Sequence, residues 1–169
     1  MELTKLRDVM LKLFDCEKVE QLSEKIMGVV LSNDFEKMDK FVELIGNDLS
    51  IDYIQKVYQY YLADRKEKKQ DYTPKSLAKL MAILAMSKDK KIIDMCAGSG
   101  ALTIQAWNLD NDIVAECLEF DETVIPFLLF NLQVRNIEGV VKHMDVLENE
   151  IFNTYKITRT DKFGKVEKI

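Results

Sequence analysis

The chain has 169 residues, 47% of them hydrophobic, and a net charge of -5. That is enough for one domain with a real core, or a small domain with an appended helical bundle. No apolar run is long enough to span a bilayer, and the charged start MELTKLRDVMLKLF lacks a signal-peptide stretch, so we expect a cytoplasmic protein without membrane contact.

Residues 1–69 read as helices alone. Leu3, Leu6, Val9, Met10 and Leu13 recur at helical spacing. A second helix is expected from about Glu17 to Leu31, with Val19, Leu22, Ile26, Val29 and Val30 on one side. Ser32-Asn33-Asp34 is a stop and restart with Asp34 as N-cap, and Phe35, Met38, Phe41, Val42 and Ile45 repeat the pattern up to Gly46-Asn47. Ser50 is expected to cap a fourth helix through Ile51, Ile54, Val57, Tyr58, Tyr61 and Leu62, which runs into the charged segment Arg65–Lys69.

The pattern changes near Asp71. Thr73 is expected as N-cap and Pro74 at the first position of a helix carrying Leu77, Leu80, Met81, Ile83 and Leu84. Lys91–Met95 reads as a strand, followed by a Gly-containing turn and a helix through Leu102, Ile104, Ala106 and Trp107. Asp112–Glu119 reads as a second strand, Thr123–Asn136 as a helix, Val140–Asp145 as a third strand and Tyr155–Thr158 as a fourth. Strands alternating with helices predict βαβ units and a parallel sheet. The division expected is a helical domain over 1–69 and an α/β domain over 70–169.

Chemistry concentrates at the predicted strand ends. Small residues in Asp94-Met95-Cys96-Ala97-Gly98-Ser99-Gly100 let backbone approach a nucleotide-like ligand closely, where a plain tight turn is the structural alternative. Glu119 ends the second strand, 21 residues after Gly98, where an acid accepts hydrogen bonds from ribose hydroxyls; Asp121 and Glu122 compete for that role. Asp145 ends the third strand, so Asp94, Glu119 and Asp145 are expected together at one sheet edge. Residues 92–134 hold seven acids and no Lys or Arg, a surface that repels nucleic acid. Three cysteines, Cys16, Cys96 and Cys117, lack metal-ligand spacing, and Cys96 and Cys117 are expected as small core residues. His143 is the single histidine, which excludes a multi-histidine metal site.

Tyr72-Thr73-Pro74, the loop from Asp94 to Gly100, Glu119 and Asp145 together resemble the ordered motifs of adenine-specific (N-6) DNA methyltransferases, most of all the modification subunit of type I restriction-modification systems. The definite likeness covers about residues 70–155. Met95, Cys96 and Ala97 depart from the family's usual Pro-Ala-Cys, while Gly98, Ser99 and Gly100 are kept. The resemblance implies a Rossmann-like S-adenosylmethionine-dependent methyltransferase fold, with an incomplete parallel sheet preceded by a helical bundle. It also implies S-adenosylmethionine or S-adenosylhomocysteine as cofactor. Tyr72, Thr73 and Pro74 would then close over it. Asp94, Cys96, Ala97, Gly98, Ser99 and Gly100 would form its loop, Glu119 would bind ribose, and Asp145 with Val146 would meet the adenine end. Phe120 would flank the adenine ring or lie buried under the sheet.

The family's catalytic Asn-Pro-Pro-aromatic segment has no counterpart, and no proline follows Pro126. Asp161 and Phe163 are the weak substitutes for its acid and stacking ring. The expectation is a cofactor-binding module, truncated before that motif and inactive alone. Its catalytic and target-recognition parts would come from a partner chain or another copy, with DNA reached only through them. The alternatives are a non-catalytic S-adenosylmethionine-binding regulatory or assembly protein, and a small-molecule or RNA methyltransferase with unusual catalytic residues.

Overall fold

In a computed structural model, which describes residues 2–62, 73–86 and 88–169, four N-terminal helices precede an α/β unit. These are α1 (Leu3–Leu13), α2 (Leu22–Ser32), α3 (Phe35–Leu44) and α4 (Tyr53–Tyr61). There follow α5 (Lys75–Ala85), β1 (Lys91–Asp94), α6 (Ala101–Leu109), β2 (Val114–Glu119), α7 (Ile125–Val134), β3 (Glu138–Asp145), β4 (Glu150–Thr158) and β5 (Lys165–Lys168). Asp34 caps α3 as expected, accepting the Lys37 N–H at 3.0 Å. Two caps shift by a residue or two. Asp52, not Ser50, caps α4 by accepting the Gln55 N–H at 2.8 Å, because Ser50 is engaged in a local turn with Asp48. Pro74 rather than Thr73 is the N-cap of α5; its extended backbone precedes the helix and its carbonyl accepts from Ala78.

The five strands lie in sequence order, β1 to β5. β1, β2 and β3 are parallel, but β4 pairs antiparallel with β3 and β5 antiparallel with β4. The sheet is therefore mixed, which corrects the expectation of parallel strands throughout. The cause is length: a parallel crossover needs a dozen or more residues, and only Val146–Asn149 separate β3 from β4. Asn149 takes a left-handed φ of 55° in that turn.

Alternation along the strands sorts two faces. Ile92, Ala115, Cys117, Val141, Tyr155, Ile157 and Val166 form the buried face. The opposite face carries Ile93, Val114 and the Glu116–Lys142 ion pair at 2.5 Å. α7 is buried along its whole length between the sheet and the N-terminal helices, which is why it reads apolar on every side. Phe130 makes the junction, edge-on to Phe14 of the α1 C-cap at 5.5 Å and to Phe41 of α3 at 5.0 Å. One hydrophobic core runs continuously from Leu6 to Val166. The expected boundary at 69/70 and the charged segment Arg65–Lys69 lie outside the described residues. Among the described residues, no helix is long and apolar enough to cross a membrane.

Candidate functional site

Because β1, β2 and β3 run the same way, Asp94, Glu119 and Asp145 all arrive at one edge of the sheet. The loop after β1 is tied to β2 by Ala97 N–H to the Leu118 carbonyl at 3.0 Å, and closes on itself by Gly100 N–H to the Ala97 carbonyl at 2.8 Å. Gly98 and Gly100 have φ of 53° and 93°, left-handed values that favour glycine. Their roles differ. A Cβ at Gly100 would stand 3.0 Å from Leu128 Cδ1, so Gly100 admits α7 close to the start of α6. A Cβ at Gly98 would meet nothing within 4 Å, so that position opens onto free space.

A cavity of about 350 Å³ lies at this edge, lined by Met95, Cys96, Glu119, Phe120, Asp145, Val146 and Leu147. That size falls in the range of small-molecule sites, roughly 300–1,000 Å³. Glu119 Oε2 accepts the Gly98 N–H at 2.7 Å and Oε1 accepts the Asp121 N–H at 2.8 Å. One carboxylate thus links the loop to the end of β2, and each oxygen keeps a second lone pair. Asp145 Oδ1 accepts the N–H groups of Leu147 and Glu148 at 2.8 and 3.1 Å, while Oδ2 has no partner among the described residues. Asp121 caps the next turn, accepting the N–H and hydroxyl of Thr123.

The other expected site residues are placed differently. Asp94 is 6% exposed and accepts the Thr103 hydroxyl at 3.0 Å. Burial pushes its carboxyl above the ordinary range, and hydrogen bonds from Thr103 and Cys96 oppose that shift. Ala97 and Ser99 are buried in the loop. Cys96 is exposed, not in the core, because the strand ends at Asp94 and the chain has already turned. Cys117 is in the core, and burial pushes its thiol up to about 12. Thr73 and Pro74 precede α5, which lies along α6, and neither lines the cavity. Tyr72 lies outside the described residues.

Phe120 is 63% exposed, so it is not buried under the sheet. It meets Phe152 of β4 edge-on at 6.4 Å, and Phe152 in turn tilts over the His143 ring at 4.9 Å. His143 Nε2 is 3.1 Å from the Phe120 carbonyl, and Nδ1 is 3.3 Å from Asn153 Nδ2. The tautomer protonated at Nε2 satisfies both contacts, donating to the carbonyl and accepting from the amide. Sequence reasoning missed His143, Phe152 and Leu147 as neighbours of the site. The strand alternation that puts His143 on the same face as Asp145 was the available signal.

Asp161 and Phe163 are not brought to the cavity. They sit in the β4–β5 turn, at the opposite edge of the sheet, since β4 runs from beside Asp145 back to beside Gly139. Phe163 is buried, its ring 5.8 Å from that of Phe35. The acid and ring expected as substitutes for a catalytic acid and stacking ring therefore lie away from the cavity.

These features define an α/β protein with a ligand-sized pocket where parallel strands end beside a glycine loop. The sequence model of the N-6 DNA methylase family matches residues 49–166, well over half of the chain, and the chain belongs to that family. Searches among curated proteins and among solved structures return no significant match.

Proposed function

We propose that the chain binds S-adenosylmethionine, or S-adenosylhomocysteine, in the pocket at the ends of β1, β2 and β3. It does so as the cofactor module of an adenine-specific DNA methyltransferase of the restriction-modification kind. The observation that carries this reading is Glu119, which lines the cavity and holds the Gly98 N–H while its remaining lone pairs suit two ribose hydroxyls. The group fits the residues present. Gly98 opens to space, Phe120 offers an exposed aromatic face, and Asp145 keeps an unpartnered oxygen for an amine. When bound, the cofactor supplies an electrophilic methyl group; the protein's part is to hold and orient it. Titration calorimetry of the unmodified protein with each cofactor form tests the proposal, and absence of heat with both overturns it.

The rest of the chemistry is assigned to another polypeptide or a second copy. Methyl transfer requires the target amine held at near-attack distance, in line with the methyl group. Asp161 and Phe163, the acid and ring expected for that task, are at the far edge of the sheet. Among the described residues, nothing pairs with the outer edge of β1, where Ile93 is 66% and Met95 54% exposed. An open edge with apolar neighbours suits strand addition by a partner. DNA would be reached through that partner, since the region between 92 and 134 is acidic. Transfer of labelled methyl groups to adenine by the purified chain alone would overturn this assignment.

A further inference from the structure

The glycine loop is gripped from two sides at adjacent residues. Gly98 is held on the pocket side by Glu119. Ser99 is held on the far side by the N-cap of α4 and by α7. Its hydroxyl donates to Asp52 Oδ2 at 2.7 Å, and its carbonyl accepts from Asn131 Nδ2 at 2.9 Å. Asn131 Nδ2 also donates to Asp52 Oδ1 at 3.0 Å. Asn131 Oδ1 accepts from Arg135 Nη1 at 3.0 Å, and the same guanidinium donates to the carbonyls of Leu49 and Ile51 at 2.9 and 3.1 Å. Asp52, Ser99, Asn131 and Arg135 are 6%, 1%, 1% and 4% exposed. A carboxylate at the start of α4 and a guanidinium at the end of α7 are thus joined through one amide, with the loop serine between them.

Burying two charges is expensive, and an apolar contact would join two helical layers at lower cost. What the polar arrangement provides is direction. In the conformation that turns the Gly98 N–H to Glu119, Ser99 satisfies both its hydroxyl and its carbonyl. The family match begins at residue 49, so it includes Leu49, Ile51 and Asp52 with the loop itself.

We propose that Asp52 is a positioning residue for the cofactor loop: through Ser99 it fixes the left-handed turn at Gly98 and Gly100, so the start of α4 sets cofactor affinity. This rests on reading the loop as the S-adenosylmethionine site. Asp52→Ala leaves the Ser99 hydroxyl without its acceptor and loosens the loop, which keeps the bond from Asn131 to the Ser99 carbonyl. Asp52→Asn keeps the shape; its oxygen still accepts from Gln55 and Asn131, and its amide donates to the Ser99 hydroxyl.

The test uses the full chain and calorimetry with S-adenosylmethionine, well below the melting temperature of every variant. Met38→Ala, a truncation in the core beneath α3, serves as a control for lost stability alone. The expected result is about tenfold weaker binding for Asp52→Ala, as befits a lost hydrogen bond to a charged group, with Asp52→Asn within about threefold of the parent. Met38→Ala should lose stability and keep its affinity. Should Asp52→Ala not fold, Ser99→Ala removes the same bond from the other side and should weaken binding several-fold. Unchanged affinity in the Ala variants, or an equal loss in Met38→Ala, overturns the proposal. If the parent itself binds no cofactor, the functional reading fails first. Amide exchange then tests the clamp separately: Gly98 and Gly100 should exchange faster in Asp52→Ala than in Met38→Ala, and equal rates overturn it.

Discussion

The parallel half of the sheet, β1 to β3, and the antiparallel hairpin, β4 and β5, hold similar side chains but stand in different relations to the site. In the parallel half a helix returns the chain after β1 and again after β2, so three strand ends meet at one edge with Asp94, Glu119 and Asp145. The hairpin starts at that edge and leaves it. Only its opening residues reach the site, Phe152 against Phe120 and Asn153 against His143. Its turn ends at the far edge, where Arg159 pairs with Asp112 and donates to the Asn136 carbonyl. An acid and an aromatic ring near that turn lie away from the pocket, whereas an acid and a ring at Glu119 and Phe120 line it. Strand direction, more than residue type, decides which loops matter.

The largest expected effect tests how rigid the parallel half is. A Cβ at Gly139 in β3 would lie 1.8 Å from the backbone oxygen of Ala115 in β2, and backbone must shift to admit it. Gly139→Ala should therefore cost at least about 3 kcal/mol, at or above the upper end for overpacking. The hairpin offers the matched case. A Cβ at Gly164 would meet Ile157 Cγ2 at 2.7 Å, a side-chain atom, and Gly164→Ala should cost about 1–2 kcal/mol. Urea unfolding of both variants checks the order; a reversal would mean the hairpin, not the parallel pair, is the stiffer half.

Next in size is the ranking of two acids after β2. Glu119 lines the cavity, and Asp121 caps a turn. Hydrogen bonds to a charged group are worth about 1.5–3 kcal/mol each, so Glu119→Ala should weaken S-adenosylmethionine binding by at least about tenfold. Asp121→Ala should stay within about threefold, since its carboxylate caps the turn at Thr123 and does not line the cavity. Titrations giving the opposite ranking would shift the ribose partner into the loop and break the strand-end argument.

A smaller effect concerns what the site costs the fold. Burial raises the Asp94 carboxyl above its unfolded range, so the folded protein favours the protonated acid. The sign follows: this group's contribution is fully present below the ordinary carboxylate range and declines as pH rises through the raised folded value. Asn at this position has no charge to bury. The stability of Asp94→Asn relative to the parent should therefore improve steadily from acid to neutral pH, whatever constant offset the exchanged oxygen introduces. Thermal melts across that range check the slope; a flat difference would show that Thr103 and the loop N–H groups fully offset the burial.

Much of this was legible before any coordinates. The helix starts at Leu3 and Phe35, the cap at Asp34 and the strand ends at Glu119 and Asp145 follow from periodicity and small-residue punctuation, and β1 ends at Asp94, one residue before the expected Met95. The hairpin was not: the fourth strand was expected only from Tyr155, whereas β4 begins at Glu150, although even the stretch from Asp145 to Tyr155 is short for a parallel crossover. Gly139 hid the start of β3, because glycine weakens a strand interior and offers no side chain to continue the alternation. In α5 the large residues are the exposed ones: Leu77, Leu80, Met81 and Leu84 lie outward while Ala78 and Ala82 are buried against their neighbours. Periodicity locates a helix, but only tertiary packing says which face is turned inward. The Asp52–Ser99 contact spans 47 residues and has no local pattern at all.

The smallest effect is the most direct test of the comparison. Asp161 is exposed in the β4–β5 turn, beside Lys162 and before the buried Phe163. Among the described residues no hydrogen bond ties it to the pocket, and the length of β4 separates that turn from the strand ends. Asp161→Ala should change stability by no more than about 0.5 kcal/mol, the usual limit for a surface change. Its affinity for S-adenosylmethionine should equal the parent's. If a partner chain or a second copy restores methyl transfer, the rate should be unchanged too, because the amine would be held at the other edge of the sheet. A variant that binds cofactor normally yet loses transfer in that reconstituted complex would put the hairpin turn at the reacting centre. The partner would then have to bend the sheet's far edge toward the pocket, and strand direction would no longer explain where the chemistry lies.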